Sequence, residues 1–176
     1  MLTFNNLGNL GRLANQMFQY ASLKGIARKH GYDYAIPPVN LFGQNDPLVK
    51  ESSLNIYNVF DIGKKNNINV VRNPMLQERM HEFDKELFDS CPDNVDLYGY
   101  YQSPKYFDHI KDEIKSDFTF SDEVESVCSE MFETIKDGKK VIALHIRRTD
   151  YTVNPNHPLQ SMQYYEEALK TFDKNT

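Results

Sequence analysis

The chain has 176 residues, 40% hydrophobic and 26% charged, which suits one well-packed α/β domain or one and a part and excludes a disordered chain. A net charge of −5 lacks the basic footprint of a nucleic-acid binder, although a local basic pocket for an anionic ligand stays open. No stretch approaches the ~20 apolar residues of a membrane span, and residues 1–5 carry no basic or long apolar leader. Cys91 and Cys128 have neither metal spacing nor a framework, so reduced thiols of a cytosolic protein are expected.

Residues 2–4 suit a short first strand, and residues 5–11 follow as a loop in which Gly8 and Gly11 let backbone approach a ligand closely. In the next stretch Leu13, Met17, Tyr20, Ala21, Leu23 and Ala27 recur at helical spacing. Basic Arg28, Lys29 and His30 suit the end of that helix, and Gly31 stops it. Residues 34–36 read as a second strand, closed by Pro37 and Pro38. A strand, glycine loop, helix and strand open a Rossmann-like domain. The glycines do not match the dinucleotide fingerprint. On local chemistry alone, Asn15 would cap the helix and Arg12 would solvate its start.

Residues 40–73 are rich in asparagine and are expected to be irregular. Residues 74–88 are expected to be helical, from the spacing of Met75, Met80, Phe83, Leu87 and Phe88. Residues 97–101 read as a strand. Ser103 and Pro104 then look like an N-cap and first helical residue, with Tyr106, Phe107, Ile110 and Ile114 as the buried face. Ser121 is expected to cap a further helix with Asp122 and Glu123 in its first turn. Val124, Val127, Cys128, Met131 and Ile135 would be its inner stripe, and Asp137-Gly138 its end.

The charged cluster of the chain is VIALHIRRTDY, residues 141–151. The apolar run at residues 141–146 is expected to be a strand covered on both faces. His145, Arg147, Arg148 and Asp150 follow at its carboxyl end, where α/β folds hold ligands. Strand alternation puts His145 and Arg147 on one side and Arg148 on the other, so Arg147 would aim into a crevice. Arg148 would then be scaffold, paired with Asp150; a purely structural salt-bridge cluster is the alternative. A loop over residues 152–159 leads to a last helix carrying Met162, Tyr165, Leu169 and Phe172.

HIRRTDY, followed by Asn156-His157-Pro158 and Tyr164-Tyr165, resembles the HxRRxDY region of fucosyltransferases that use GDP-fucose, and most of all the bacterial α-1,2-fucosyltransferases of glycosyltransferase family 11. The α-1,6 and protein O-fucosyltransferases carry related versions. GRLANQMFQYA and GYYQSPKYF resemble two further segments of the same family. The resemblance implies a GT-B fold, with residues 1–138 as a Rossmann-like N-terminal lobe on the acceptor side. Residues 139–176 would be the first strand and helix of the donor-binding lobe. It implies inverting transfer of L-fucose from GDP-fucose to the 2-hydroxyl of a terminal galactose in a glycan. Arg147 would contact the donor diphosphate, with Asn15 and Asp150 completing the catalytic set. Gly11, Arg12, Gln16, His145 and Arg148 would bind substrate, and the glycine loop and the arginine motif would face one cleft. The proton acceptor stays open between Asp150 and His145.

Charge left on the diphosphate needs a metal or fixed cations. The sequence has no Asp-x-Asp pair and no His/Cys cluster, so arginine is expected to serve, without metal or cofactor; a metal held by Asp150, His157 and a remote carboxylate is the lesser alternative. The second lobe would have only its opening elements, residues 141–172, and the family's later serine/aspartate-rich donor motifs are missing. The chain thus reads as a truncated gene, a fragment or a degenerate relative, expected to be inactive or nearly so alone. A non-catalytic remnant, a glycan-binding accessory module and a fucosyltransferase of another linkage such as α-1,6 stay open. Eukaryotic relatives carry a Golgi anchor; its absence here favours a cytoplasmic protein of bacterial or viral type, peripheral at a membrane if its acceptor is lipid-linked.

Overall fold

The computed structural model describes residues 1–38, 55–153, 155 and 158–172, with only the backbone of Lys64, Lys65, Thr149 and Asp150. The chain divides into two compact units, Met1–Glu125 and Ser126–Thr176.

The first unit is α/β, as the alternation of apolar runs and helical stripes implies. Among the described residues its sheet has four strands, β1 (Leu2–Thr3), β2 (Tyr34–Ala35), β3 (Met75–Gln77) and β4 (Asp96–Tyr98), in the order β2-β1-β4-β3. Every pairing is parallel: Leu2 lies against Tyr34, Thr3 against Ala35 and Asp96, and Leu76 against Leu97. Parallel strands need both faces covered. Leu2, Phe4, Ala35, Ile36 and Leu97 are accordingly fully buried. Because all four strands run the same way, their carboxyl ends share one edge.

Helix α1 (Leu13–His30) follows β1. Gly31 takes the left-handed conformation at φ 70° and its N–H closes on Ala27 and Arg28, the expected stop. Tyr20, Leu23, Ile26 and Ala27 pack into the core, and so do Gln16, Gln19, Ser22 and Lys24. Four buried polar side chains on one helix demand partners. Lys24 Nζ lies 2.5 Å from Asp117 Oδ2, and the Tyr20 hydroxyl donates to the same oxygen at 2.7 Å. Tyr20 and Tyr34 also reach Asn66 Oδ1, at 3.1 and 2.7 Å. Burial first, then Tyr34 and Asp117, push the Tyr20 hydroxyl far above its ordinary range, so it stays protonated and donates.

Two expectations for this unit are corrected. The asparagine-rich stretch holds two short helices, α2 (Ile56–Val59) and α3 (Ile62–Lys65). Asn55 caps α2 by accepting the Tyr57 and Asn58 N–H groups at 3.0 Å, and Ile56, Val59 and Ile62 are buried. Residues 39–54 of that stretch lie outside the described residues. Residues 74–88 are not one helix: they form β3, a turn, and the start of α4 (Lys85–Ser90). Asp84 accepts the Leu87 N–H at 2.9 Å and so fixes where α4 begins. Met75 and Met80, which suggested the helical period, are exposed. Past β4, Ser103 and Pro104 do open a helical turn, a 3₁₀ one, ahead of α5 (Lys111–Asp117).

Helix α6 (Asp122–Lys136) begins in the first unit and ends in the second. Its expected inner stripe is not inside: Val127, Met131 and Ile135 are all more than half exposed. Asp137 and Gly138 end it at φ 41° and 72°. In the second unit α7 (Met162–Leu169) is capped by Ser161, whose Oγ accepts the Tyr164 N–H at 3.3 Å. Residues 141–146 are not a strand, against expectation, and Val141, Ile142, Leu144 and Ile146 are exposed. A strand exists only by pairing, and the described residues of this unit contain no other strand.

Candidate functional site

Three strand ends and one helix build the carboxyl edge of the sheet. Asn5 to Gly11 follow β1, Glu78 follows β3, and Gly99 to Gln102 follow β4. Asp96, the first residue of β4, ties the two central strands by accepting from Thr3 Oγ1 and the Asn5 N–H, each at 2.8 Å. Helix α1 then joins the loops. Gln19 Nε2 donates to the carbonyls of Leu10 at 3.1 Å and Gly99 at 3.0 Å. Ser22 Oγ donates to the Tyr101 carbonyl at 3.2 Å. Gln16 Oε1 accepts the Ile56 N–H at 3.2 Å.

The glycine loop and Asn15 fit against each other. Gly11 sits at φ 77°, and a Cβ there would collide with the Asn15 amide. Asn15 does not cap α1; the cap position belongs to Arg12, which is extended, exposed and makes no side-chain cap bond. Instead the half-buried Asn15 accepts from Gln102 Nε2 through Oδ1, at 2.5 Å. Of the residues singled out in the first motif, Gly11 and Asn15 therefore meet, whereas Arg12 is exposed and Gln16 is fully buried with its amide oxygen on Ile56. Beside them a cleft of about 360 Å³ is lined by Leu10, Glu78, Arg79, His81, Tyr98 and Tyr100. Three buried side-chain atoms have no hydrogen-bond partner among the described residues, Asn5 Oδ1, Gln16 Nε2 and Gln19 Oε1, and all three belong to residues of this edge.

The arginine that lines this cleft is already committed. Arg79 forks onto Asp84 with two bonds of 2.6 Å and reaches Glu86 at 2.9 Å. The Asp84 carboxyl is held below its usual range, first by Arg79 and then by the Leu87 N–H, against the opposing effect of burial. Arg79 is a poor candidate for holding an anion.

In the second unit His145 and Arg148 are exposed, and Arg147 is half-buried with its guanidinium 5.0 Å from the centre of the Tyr151 ring. The alternation argument that separated Arg147 from Arg148 loses its basis, since the segment is not a strand. The difference in burial and the aromatic contact still distinguish the two. The side chain of Asp150, and Asn156 and His157 altogether, lie outside the described residues. The Asn15 group and the Arg147 group fall in separate units.

The sequence pattern described as Glycosyl transferase family 11 matches residues 2–176. The chain belongs to glycosyl transferase family 11. Similar curated proteins include galactoside alpha-(1,2)-fucosyltransferase 2 of Sus scrofa, 28% identical over 93% of this chain and 48% of the relative. The Rattus norvegicus protein of the same name is 28% identical over 98% and 48%. The O-antigen biosynthesis glycosyltransferase WbnK of Escherichia coli is 24% identical over 91% of this chain and 65% of its own length. The chain thus spans between about half and two thirds of the length of these relatives. No solved structure matches it. Among the described residues no helix is long and apolar enough to cross a membrane.

Within this family 11 chain, the sequence reading missed Gln19 and Glu78. A glutamine in a helix and a glutamate after an unrecognised strand both look like surface residues. Gln19 stood inside the quoted motif GRLANQMFQYA, which was the one available signal; Glu78 had none.

Proposed function

We propose that the protein transfers L-fucose from GDP-fucose to the 2-hydroxyl of a terminal galactose, with inversion at the anomeric carbon. The observation that carries this is the match to family 11 through both motif regions, with relatives named as galactoside alpha-(1,2)-fucosyltransferases. The construction of Gly11 to Gln16 on the carboxyl edge of a parallel sheet supports it, because that edge is where α/β folds bind substrates.

In this reading Arg147 neutralises the diphosphate as the glycosidic bond breaks. Its planar fork matches two phosphate oxygens, and charge held by fixed donors needs no metal. Asn15 orients the reacting sugar through its amide. Asp150 or His145 takes the proton from the acceptor hydroxyl. Gly11, Arg12, Gln16 and Arg148 shape the surrounding site. The acceptor is a galactose-containing glycan, and a cytoplasmic site of action on a lipid-linked glycan accords with the O-antigen role in the name of WbnK.

A second reading has one specific observation behind it. The arginine motif follows an exposed segment that, among the described residues, belongs to no strand. An exposed run before Arg147 constrains the motif's position little, and loose positioning costs rate steeply, so these 176 residues alone are expected to transfer little, and a glycan-binding module without catalysis would look the same. Calorimetric titration with GDP, GDP-fucose and lactose, followed by an assay of transfer to lactose, separates the two. Binding of GDP together with fucose appearing on the galactose 2-hydroxyl supports the enzyme. Binding of lactose with no measurable GDP binding supports the module.

A further inference from the structure

Glu78 stands immediately after β3, and both of its carboxylate oxygens are engaged by backbone of the turn that follows β4. Oε2 accepts the Tyr100 N–H at 2.8 Å, and the Tyr101 N–H lies 3.0 Å from Oε1 and 3.1 Å from Oε2. The backbone it holds is unusual. Gly99 is at φ 149°, and a Cβ there would come within 2.5 Å of Glu78 Cβ. Tyr101, fully buried, is in the left-handed region at φ 51°, costly for a bulky aromatic residue. Such a conformation persists only when its surroundings over-determine it. The carboxylate fixes the turn from one side, and Gln19 and Ser22 fix it from the other through the Gly99 and Tyr101 carbonyls. The next residue along this turn is Gln102, whose amide holds Asn15 Oδ1 at 2.5 Å.

We propose that Glu78 is a positioning residue, which acts through the Gly99–Gln102 turn to fix the amide of Asn15 at the glycine loop. This deepens the fucosyl-transfer reading and rests on it for its catalytic meaning. With both oxygens drawn to backbone N–H groups, the carboxylate sets geometry and exchanges no proton with substrate. An Asn15 left unanchored can rotate its amide, and an amide presents an acceptor from one end and a donor from the other. The anchoring by Gln102 leaves the Asn15 NH₂ as the end free to donate.

The test is made on the chain itself, labelled with ¹⁵N, comparing Glu78→Ala, Glu78→Gln and Gln102→Ala. An N–H bonded to a charged acceptor is worth roughly 10- to 100-fold in its opening equilibrium. In Glu78→Ala the Tyr100 and Tyr101 amides should exchange with solvent faster by that factor, and the side-chain amide resonances of Asn15 and Gln102 should move towards those of free amides. Glu78→Gln, which keeps one carbonyl oxygen for the turn, should restore most of both. Gln102→Ala should move the Asn15 resonance while leaving Tyr100 and Tyr101 protected, and it serves if Glu78→Ala fails to fold. Where transfer is measurable, kcat should fall on the order of 100-fold in Glu78→Ala with KM little changed, as for a misplaced group, and Glu78→Gln should recover most of it. Unchanged Asn15 and Gln102 resonances in Glu78→Ala would overturn the proposal. So would a Glu78→Gln protein with parental resonances and a rate as low as Glu78→Ala, because the carboxylate would then act in proton transfer. A parent chain that binds neither GDP nor GDP-fucose would count against the fucosyl-transfer reading alone, since the resonances are read without donor or turnover.

Discussion

Replacing Lys24 by methionine isolates the interaction that joins α1 to α5. The two side chains keep a methylene stem of similar shape, so the change removes charge and donors more than volume. Lys24 and Asp117 retain only 7% and 9% side-chain exposure, so solvent can do little to replace the lost partner. The second carboxylate near Lys24, Glu113 at 3.4 Å, is 44% exposed and can turn to water or to Arg28. Asp117 cannot turn away: it would be left buried with the Tyr20 hydroxyl as its donor. Removing one member of a buried pair costs about 3–5 kcal/mol, most of it the uncompensated charge. For a chain of this size that lowers Tm by on the order of 10 °C. The double variant Lys24→Met/Asp117→Leu should regain most of the loss, since Tyr20 still has Asn66 Oδ1 at 3.1 Å. Thermal and urea unfolding of the two singles and the double give the coupling energy directly. A loss under about 1 kcal/mol in Lys24→Met would refute the reasoning, because such a value belongs to a surface pair.

Gly25→Ala tests close approach in the same helix. In an open helix this change stabilises by about 1 kcal/mol, but here the new Cβ would run into the Tyr106 carbonyl and lie 2.9 Å from Phe107 Cα, so a loss of about 1–3 kcal/mol is expected, and a gain in urea midpoint would contradict the packing. Lys29 first and then Lys85 hold the Asp89 carboxyl down to about 2. Its stabilisation should therefore be complete above about pH 4, the ordinary carboxylate range, and be lost as pH falls towards 2. Asp89→Asn should flatten that part of the stability curve, and an identical acid limb in both proteins would dismiss the pair. For the arginines, Arg147→Ala should lower kcat about 100- to 1000-fold, with Arg147→Lys recovering only part because it loses the fork. Arg148→Ala, at an exposed side chain, should cost far less in kcat and leave Tm nearly unchanged; equal kinetic losses at the two positions would show that both arginines hold the diphosphate.

Much of the first unit was legible because several local signals agreed. Helix α1 has an apolar period, a basic end and a glycine stop, and β1, β2 and β4 lie in apolar runs bounded by turn residues. The failure at residues 74–88 has a definite cause. Two short elements joined by a turn happened to space Met75, Met80, Phe83 and Leu87 like one helix, and only the pairing of Leu76 with Leu97 distinguishes strand from helix. Residues 141–146 failed for the opposite reason: an apolar run announces a preference for burial, but a strand is a property of two segments. At the site, Asn15 and Gln16 were found through a motif and not through chemistry, because an amide on a helix usually faces water. That Gln16 and Gln19 are buried depends on carbonyls and N–H groups contributed by residues 10, 56 and 99, which no local window contains.

Gln16, Gln19 and Ser22 sit at three-residue steps along α1, and each grips backbone outside the helix, Gln16 at Ile56, Gln19 at Leu10 and Gly99, and Ser22 at Tyr101. They act like the teeth of a key. An apolar contact between helix and sheet tolerates a small slide, because one methyl group can replace another. A row of directional bonds does not: moving α1 by one residue turns its side chains through about 100° and withdraws all three at once. The helix is therefore indexed against the loops at the sheet edge, and the glycine loop inherits one position along the helix axis. Exchanging these three residues for leucine would supply more apolar surface and leave the site without a fixed origin.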